Sequence, residues 1–270
     1  MKHLQISSKV TKEIKEKKNF LEENALYLST ISSKYLDYLE KEAIIHSERI
    51  ETLEKVKKSH IVRDISKNLA NAYRWGWKTI NKNGFESIND NFIRVLAFAI
   101  EPKYFINMED YTFDEISGRE MADFRKLGES VRVGNSRFSP PSSDKLEFEM
   151  GRYLEELHAL LNHKSLDSRI EGAIYAHLHL ARIHPFGDSN GRTARMLQNI
   201  ILKSQNLPPP LIYAGKRLDY YNHLEEALVD WRSRTGQNLS SSKGERGFYN
   251  YLSGEISGTL DRIIDHEYLK

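Results

Sequence analysis

Twelve consecutive residues, His184-Pro185-Phe186-Gly187-Asp188-Ser189-Asn190-Gly191-Arg192-Thr193-Ala194-Arg195, gather a titratable base, a carboxylate, a tight turn and two arginines. His184 can take a proton from a hydroxyl near neutral pH. Asp188 offers hard oxygens of the kind Mg²⁺ takes, usually together with waters and substrate phosphates. Ser189-Asn190-Gly191 can turn the chain so that backbone N–H groups converge on an anion. A helix starting there would add its positive end. Arg192 and Arg195 would share one face of that helix and present forks to phosphate oxygens. The set suits a nucleoside triphosphate. The plainer alternative is a helix start capped by Ser or Asn with a histidine before it by chance.

These residues must be held by the elements around them, and the periodicity predicts helices almost throughout. They run at about 10–25, 28–58, 60–82, 88–101, 111–127, 144–162, 167–183, 190–205, 217–233 and 246–265. Only 7 prolines and 15 glycines interrupt the chain. Pro185 stops the helix before the motif, and Phe186 is expected under the loop, fixing His184 and Asp188. His177 and His179 lie on the approach. Without a His-Glu-x-x-His pattern, a packed core histidine is the expectation for His177 rather than a metal ligand. One stretch, residues 129–141, alternates like a strand and then reads Gly134-Asn135 before Pro140-Pro141, which is a hairpin signal.

With 39% hydrophobic residues a core can form, and a net charge of +2 argues against a nucleic-acid or membrane-surface partner. No cysteine is present, so there is no disulfide framework. No run approaches the roughly 20 apolar residues of a membrane span, and no apolar leader follows Met1. A cytoplasmic protein is expected, with delivery to another cell without an N-terminal signal left open. Whether two copies pair as a homodimer is also open.

The motif resembles that of the Fic (Fido) family, His-x-Phe-x-Asp/Glu-Gly-Asn-Gly-Arg-x-x-Arg. The match falls at His184, Phe186, Asp188, Asn190, Gly191, Arg192 and Arg195, and Ser189 stands in place of glycine. The resemblance implies a mostly α-helical Fic-type bundle with a short β-hairpin flap over the active site. It implies transfer of AMP from ATP to a Ser, Thr or Tyr hydroxyl of a target protein. His184 would be the base and Asp188 the Mg²⁺ ligand. Ser189, Asn190, Gly191, Arg192 and Arg195 would hold the phosphates, with Arg195 on the γ-phosphate. Val131, Arg132 and Val133 of the flap would dock a target segment by strand addition. Tyr220, Tyr221 and Asn222 match a Tyr-Tyr-Asn near the base, where one tyrosine could stack on adenine; both could equally be half-buried helix residues.

Ser47-Glu48-Arg49-Ile50-Glu51-Thr52 resembles the family's inhibitory pattern, Ser/Thr-x-x-x-Glu-Gly/Asn, with Thr52 in the last place. Glu51 beside Arg195 would make a bidentate pair and occupy the fork meant for the γ-phosphate. A surface glutamate on a charged helix is the alternative. Glu245 in residues 241–246 has the same spacing and ranks below it. The expected division is about 1–84, holding the inhibitory helix near 40–58, then the family core at about 85–235 and a helical piece at about 236–270. Ser189 leaves the transferred group open. Other readings are phosphocholine, phosphate or UMP transfer or removal of AMP by the same fold, or a catalytically silent nucleotide-binding or interaction module held off by its inhibitory helix.

Overall fold

The computed structural model describes residues 6–24, 30–52, 59–101, 121–134, 136–232 and 242–268. Among these, nine α-helices and three short 3₁₀ turns carry the regular structure, and no strand occurs. The helices are α1 (Ser8–Glu23), α2 (Thr30–Thr52), α3 (Ser59–Asn83), α4 (Asp90–Ile100), α5 (Leu146–Leu161), α6 (Leu166–Ile183), α7 (Asn190–Lys203), α8 (Arg217–Arg232) and α9 (Lys243–Tyr268).

α6 is the central rod. It starts where Ser165 accepts the Ser168 N–H at 3.3 Å, a cap that satisfies one of the orphan donors of a first turn. Small residues at Gly172, Ala173, Ala176 and Ala181 let neighbours approach from several sides, and the helix is buried from Ile170 to Ile183. α5 and α7 flank it, and α3 and α4 pack on α7. At Gly76 a Cβ would sit 2.5 Å from Ile200 Cδ1, so α3 lies flush against α7 only because that position is glycine. α9 lies along α8 and α1 on the other side. Apolar residues from Ile6 to Ile263 join in one continuous core.

α2 is held across this bundle by polar pins. Lys203 Nζ, at the end of α7, donates to both carboxylate oxygens of Glu40 at 2.7 and 2.6 Å. The same ammonium lies 5.2 Å from the Tyr73 ring centre and 4.9 Å from that of Trp77, where the ring faces favour a cation. Leu39, Ala43, Ile44 and Ile50 supply the apolar side of α2.

Two expectations need correction. Residues 121–127 are irregular rather than helical, and 111–120 lie outside the described residues. Their backbone donors go to other elements instead of back along a helix: Ala122 N to Arg94 O at 3.0 Å and Arg125 N to Pro185 O at 2.8 Å. The hairpin is likewise not formed. Val131, Arg132 and Val133 carry no strand ladder, and Asn135 lies outside the described residues. An isolated two-stranded hairpin is marginal without other support. Here the turn is tied down by side chains: Arg137 N donates to Glu225 Oε1 at 3.0 Å, and Ser136 Oγ bonds the same carboxylate.

Candidate active site

The motif occupies the break between α6 and α7. Helix α6 ends on His184, which is left-handed at φ 53 and ψ 56. Such a conformation is uncommon for a residue with a Cβ. It turns the imidazole back along the helix, so that Nδ1 sits 3.2 Å from Ala181 O. A carbonyl only accepts, so Nδ1 carries the hydrogen and Nε2 keeps its lone pair. Burial lowers the His184 pKa; the Ala181 bond opposes this, and the charge of Arg125 adds to it. A neutral imidazole with a free Nε2 is what a proton acceptor requires.

The turn that follows is closed by Asn190. Its Oδ1 accepts the Phe186 N–H at 2.9 Å and its Nδ2 donates to Phe186 O at 2.8 Å. The amide therefore both donates to and accepts from the loop, and the Asn190 side chain is buried in it. Phe186 is fully buried, its ring 5.5 Å from that of Phe124, as its place in the motif required. Ser189 takes the left-handed φ of 64 that a glycine would, with its hydroxyl buried and without a partner among the described residues. It holds the bend but turns no oxygen outward.

Helix α7 begins here, and its first internal bond is Thr193 N to Ser189 O at 2.9 Å. The N–H groups before Thr193 have no helical acceptor and form the positive end of the helix. Asp188 lies at the rim, its side chain 59% exposed. It accepts the Ser189 N–H at 2.6 Å through Oδ1 alone. No cluster of three His, Asp or Glu side chains able to hold a metal unaided occurs among the described residues. A single exposed carboxylate with lone pairs to spare still fits an ion that draws its remaining ligands from waters and phosphates.

Both arginines are already engaged. Arg195, buried, donates to Ser47 Oγ at 2.8 Å, Ser47 O at 3.0 Å, Glu51 Oε1 at 2.8 Å and Tyr220 Oη at 3.3 Å. Burial alone would raise the Glu51 pKa, but the guanidinium beside it holds the carboxyl below its ordinary value. Gly191 makes room for this contact: a Cβ there would lie 2.5 Å from Glu51 Oε1 and 3.3 Å from Arg195 Nη1. Arg192 Nη1 lies 2.6 Å from Glu101 Oε2 and 3.6 Å from Glu48 Oε2, and its Nη2 is 3.7 Å from Asp188. One face of α2 thus brings a carboxylate to each arginine, Glu48 to Arg192 and Glu51 to Arg195. Glu245, the other candidate for pairing with an arginine of the motif, lies 3.6 Å from His179 Nε2.

Sequence reasoning missed Glu48, Glu101 and the role of Tyr220. Glu48 stands one turn before Glu51 on α2, a signal readable in principle; Glu101 had none. Tyr220 is buried and not available to stack on a base. Its hydroxyl lies 2.9 Å from His177 Nε2, and His177 Nδ1 lies 2.5 Å from Gln198 Oε1. Burial pushes the His177 pKa down to about 3, so the ring is neutral. A neutral ring donating to Gln198 accepts from Tyr220, which leaves the phenol oxygen to accept from Arg195. His177 is the packed core histidine its position suggested, and it also orients Arg195. Tyr221 is 37% exposed, its ring 5.2 Å from that of Tyr220, and Asn222 is exposed beside it.

The model of the Fic/DOC family matches residues 99–202. A protein adenylyltransferase Fic of Nematostella vectensis is 40% identical over 98 residues, 36% of this chain and 22% of that protein. One of Drosophila persimilis is 32% identical over 177 residues, 66% of this chain and 31% of that protein. The chain thus spans less than a third of the length of these relatives. Among solved structures, a Fic domain containing signaling protein from Bacteroides thetaiotaomicron superposes with a TM-score of 0.68 at 20% identity, covering 94% of this chain and 97% of that one. Fic-1 from C. elegans gives 0.62 at 22% identity, covering 94% and 71%. At these identities the structural likeness speaks for the fold.

Proposed function

This chain belongs to the Fic/DOC family, and from that premise we propose that it is a protein adenylyltransferase held in check by Glu51. It moves AMP from ATP to the hydroxyl of a Ser, Thr or Tyr side chain on a target protein. Relatives 30–40% identical carry the name protein adenylyltransferase Fic, in support. The observation that carries the reading is a single loop that joins a base with a free Nε2, a helix N-terminus and two arginines.

In this mechanism His184 Nε2 accepts the proton of the incoming hydroxyl as its oxygen bonds the α-phosphorus of ATP. The bond from that phosphorus to the bridging oxygen breaks, and pyrophosphate leaves. The backbone N–H groups at the start of α7, with Arg192 and Arg195, bind the phosphate oxygens, where fixed donors act without reorganising. Asp188 would hold Mg²⁺, which supplies charge neutralisation on the phosphates. Tyr221, exposed beside the site, is the tyrosine with a free face for adenine. The segment of Val131, Arg132 and Val133, in which Arg132 is exposed and the two valines are half-buried, takes the target segment. The family core is assigned to 85–235, around the matched 99–202, with 1–84 supplying the inhibitory helix and 236–270 a C-terminal helical piece.

Inhibition follows from competition. Glu51 meets Arg195 through the single Nη2–Oε1 contact at 2.8 Å rather than the bidentate pair expected, and with Ser47 and Tyr220 on its other N–H groups the guanidinium cannot offer a fork to a γ-phosphate. Glu48 and Glu101 compete for Arg192 in the same way. The test is intact-mass spectrometry after incubation with ATP and Mg²⁺, comparing wild type with Glu51→Gly. An AMP adduct that is stronger in the variant is expected. An adduct of another mass would name a different group, and no adduct in either protein would overturn the proposal.

A further inference from the structure

We propose that Arg125 is a positioning residue for the transfer reaction: its guanidinium holds the end of α6 so that His184 keeps its left-handed turn. The inference rests on the catalytic reading given to His184 above. Arg125 lies 59 residues before His184 and far from the motif in sequence, yet it is buried against it. Its Nε donates to His184 O at 2.8 Å, and its Nη2 to Ile183 O at 3.3 Å and Pro141 O at 2.8 Å. Its Nη1 donates to Glu129 O at 3.1 Å. Its backbone N–H donates to Pro185 O at 2.8 Å. One residue therefore binds the carbonyls of 183, 184 and 185 in a row.

The last carbonyls of a helix have no donor of their own, and a cation there also suits the negative end of the dipole. The left-handed turn at His184 is uncommon for a residue with a Cβ and persists only if its surroundings enforce it. The four carbonyl acceptors of the guanidinium come from Glu129 and Pro141, at the two ends of the 129–141 segment, and from the end of α6, so the fork ties the proposed target-docking segment to the base. A lysine, with one point of charge and no planar fork, cannot span those acceptors. The Arg125 charge also favours the neutral imidazole. The side chain reaches no group assigned to ATP, so its effect falls on the base rather than on the nucleotide.

The test places Arg125→Lys and Arg125→Gly in the Glu51→Gly background. Activity is read with the position of the His184 imidazole resonances, assigned by loss in His184→Ala. We expect kcat to fall by about 10²-fold, the cost of a small displacement at the reacting centre. KM for ATP should stay unchanged, the His184 resonances should move, and added guanidinium ion should partly restore Arg125→Gly. Unchanged kcat and unmoved His184 resonances in Arg125→Lys would overturn the proposal. So would a KM for ATP that rises in step with the loss of kcat, because Arg125 would then serve the fold or the nucleotide pocket at large. If the parental Glu51→Gly protein transfers nothing, the functional reading fails by itself, and the His184 resonances of Arg125→Lys decide the positioning role.

Discussion

Replacing Glu51 tests the proposed regulation most directly, and the geometry sets its size. Arg195 has Ser47 Oγ, Ser47 O and Tyr220 Oη as neutral acceptors, and Glu51 as its one charged partner among them. Breaking a fully buried pair costs about 3–5 kcal/mol, whereas an exposed pair contributes about 0–1. The Arg195 side chain is 5% exposed and that of Glu51 36%. Solvent reaches one partner and three acceptors remain, so a cost of about 2 kcal/mol is expected. Glu51 lies in the last turn of α2, where glycine carries little of the penalty of a helix interior. Glu51→Gly should therefore melt about 4–8 °C below wild type, at about 2–4 °C per kcal/mol for a chain of this size. Glu51→Gln, which keeps the helix, should lose less. If ATP must displace the carboxylate against about 2 kcal/mol, freeing the arginine raises transfer by about 30-fold. ATP with Mg²⁺ at about 100 times its Kd should return about 2.7 kcal/mol to the variant. Thermal melts with and without ATP, beside self-modification by labelled ATP, measure all three quantities. A Glu51→Gly protein that melts with wild type and transfers no faster would refute the reasoning. So would ATP that stabilises wild type as strongly as the variant.

Four further outcomes can be checked. His184→Ala should lower transfer by about 10²–10⁴-fold while leaving ATP binding intact by titration calorimetry, because a base acts on the nucleophile. Asp188→Ala should lose the Mg²⁺-dependent part of the activity, and survival of an unaltered metal requirement would move the metal site elsewhere. Ser189→Gly removes a left-handed serine and a buried unpartnered hydroxyl. Allowing about 1 kcal/mol for the greater freedom of glycine when unfolded, urea melts should show a net gain of about 1 kcal/mol. The pH dependence follows from Glu51, whose folded pKa is depressed below 4.5. Its stabilisation is fully present above that value and is lost as pH falls through the folded pKa. The denaturation midpoints of wild type and Glu51→Gln should therefore converge only below pH 4.5, and no activation by protonation of Glu51 should be seen nearer neutrality.

The candidate loop was legible in the amino-acid order because its logic is local. Proline after His184, a turn at Ser189-Asn190-Gly191 and two arginines one helical turn apart specify a helix end, a bend and a helix start within twelve residues. The helices were legible for the same reason, since apolar spacing is a property of near neighbours. Glu51 could be aligned with Arg195 by resemblance, but Glu48 on Arg192 and Tyr220 beneath Arg195 arise from the way α2 and α8 pack on α7. Residues 129–141 read as a hairpin from their alternation and turn residues, yet the Arg137 N–H found Glu225 and the Glu129 carbonyl found Arg125. Whether a backbone group pairs with a strand or with a distant side chain depends on what the rest of the chain brings within about 3 Å. That competition is settled by packing, and residue order within the segment carries no record of it.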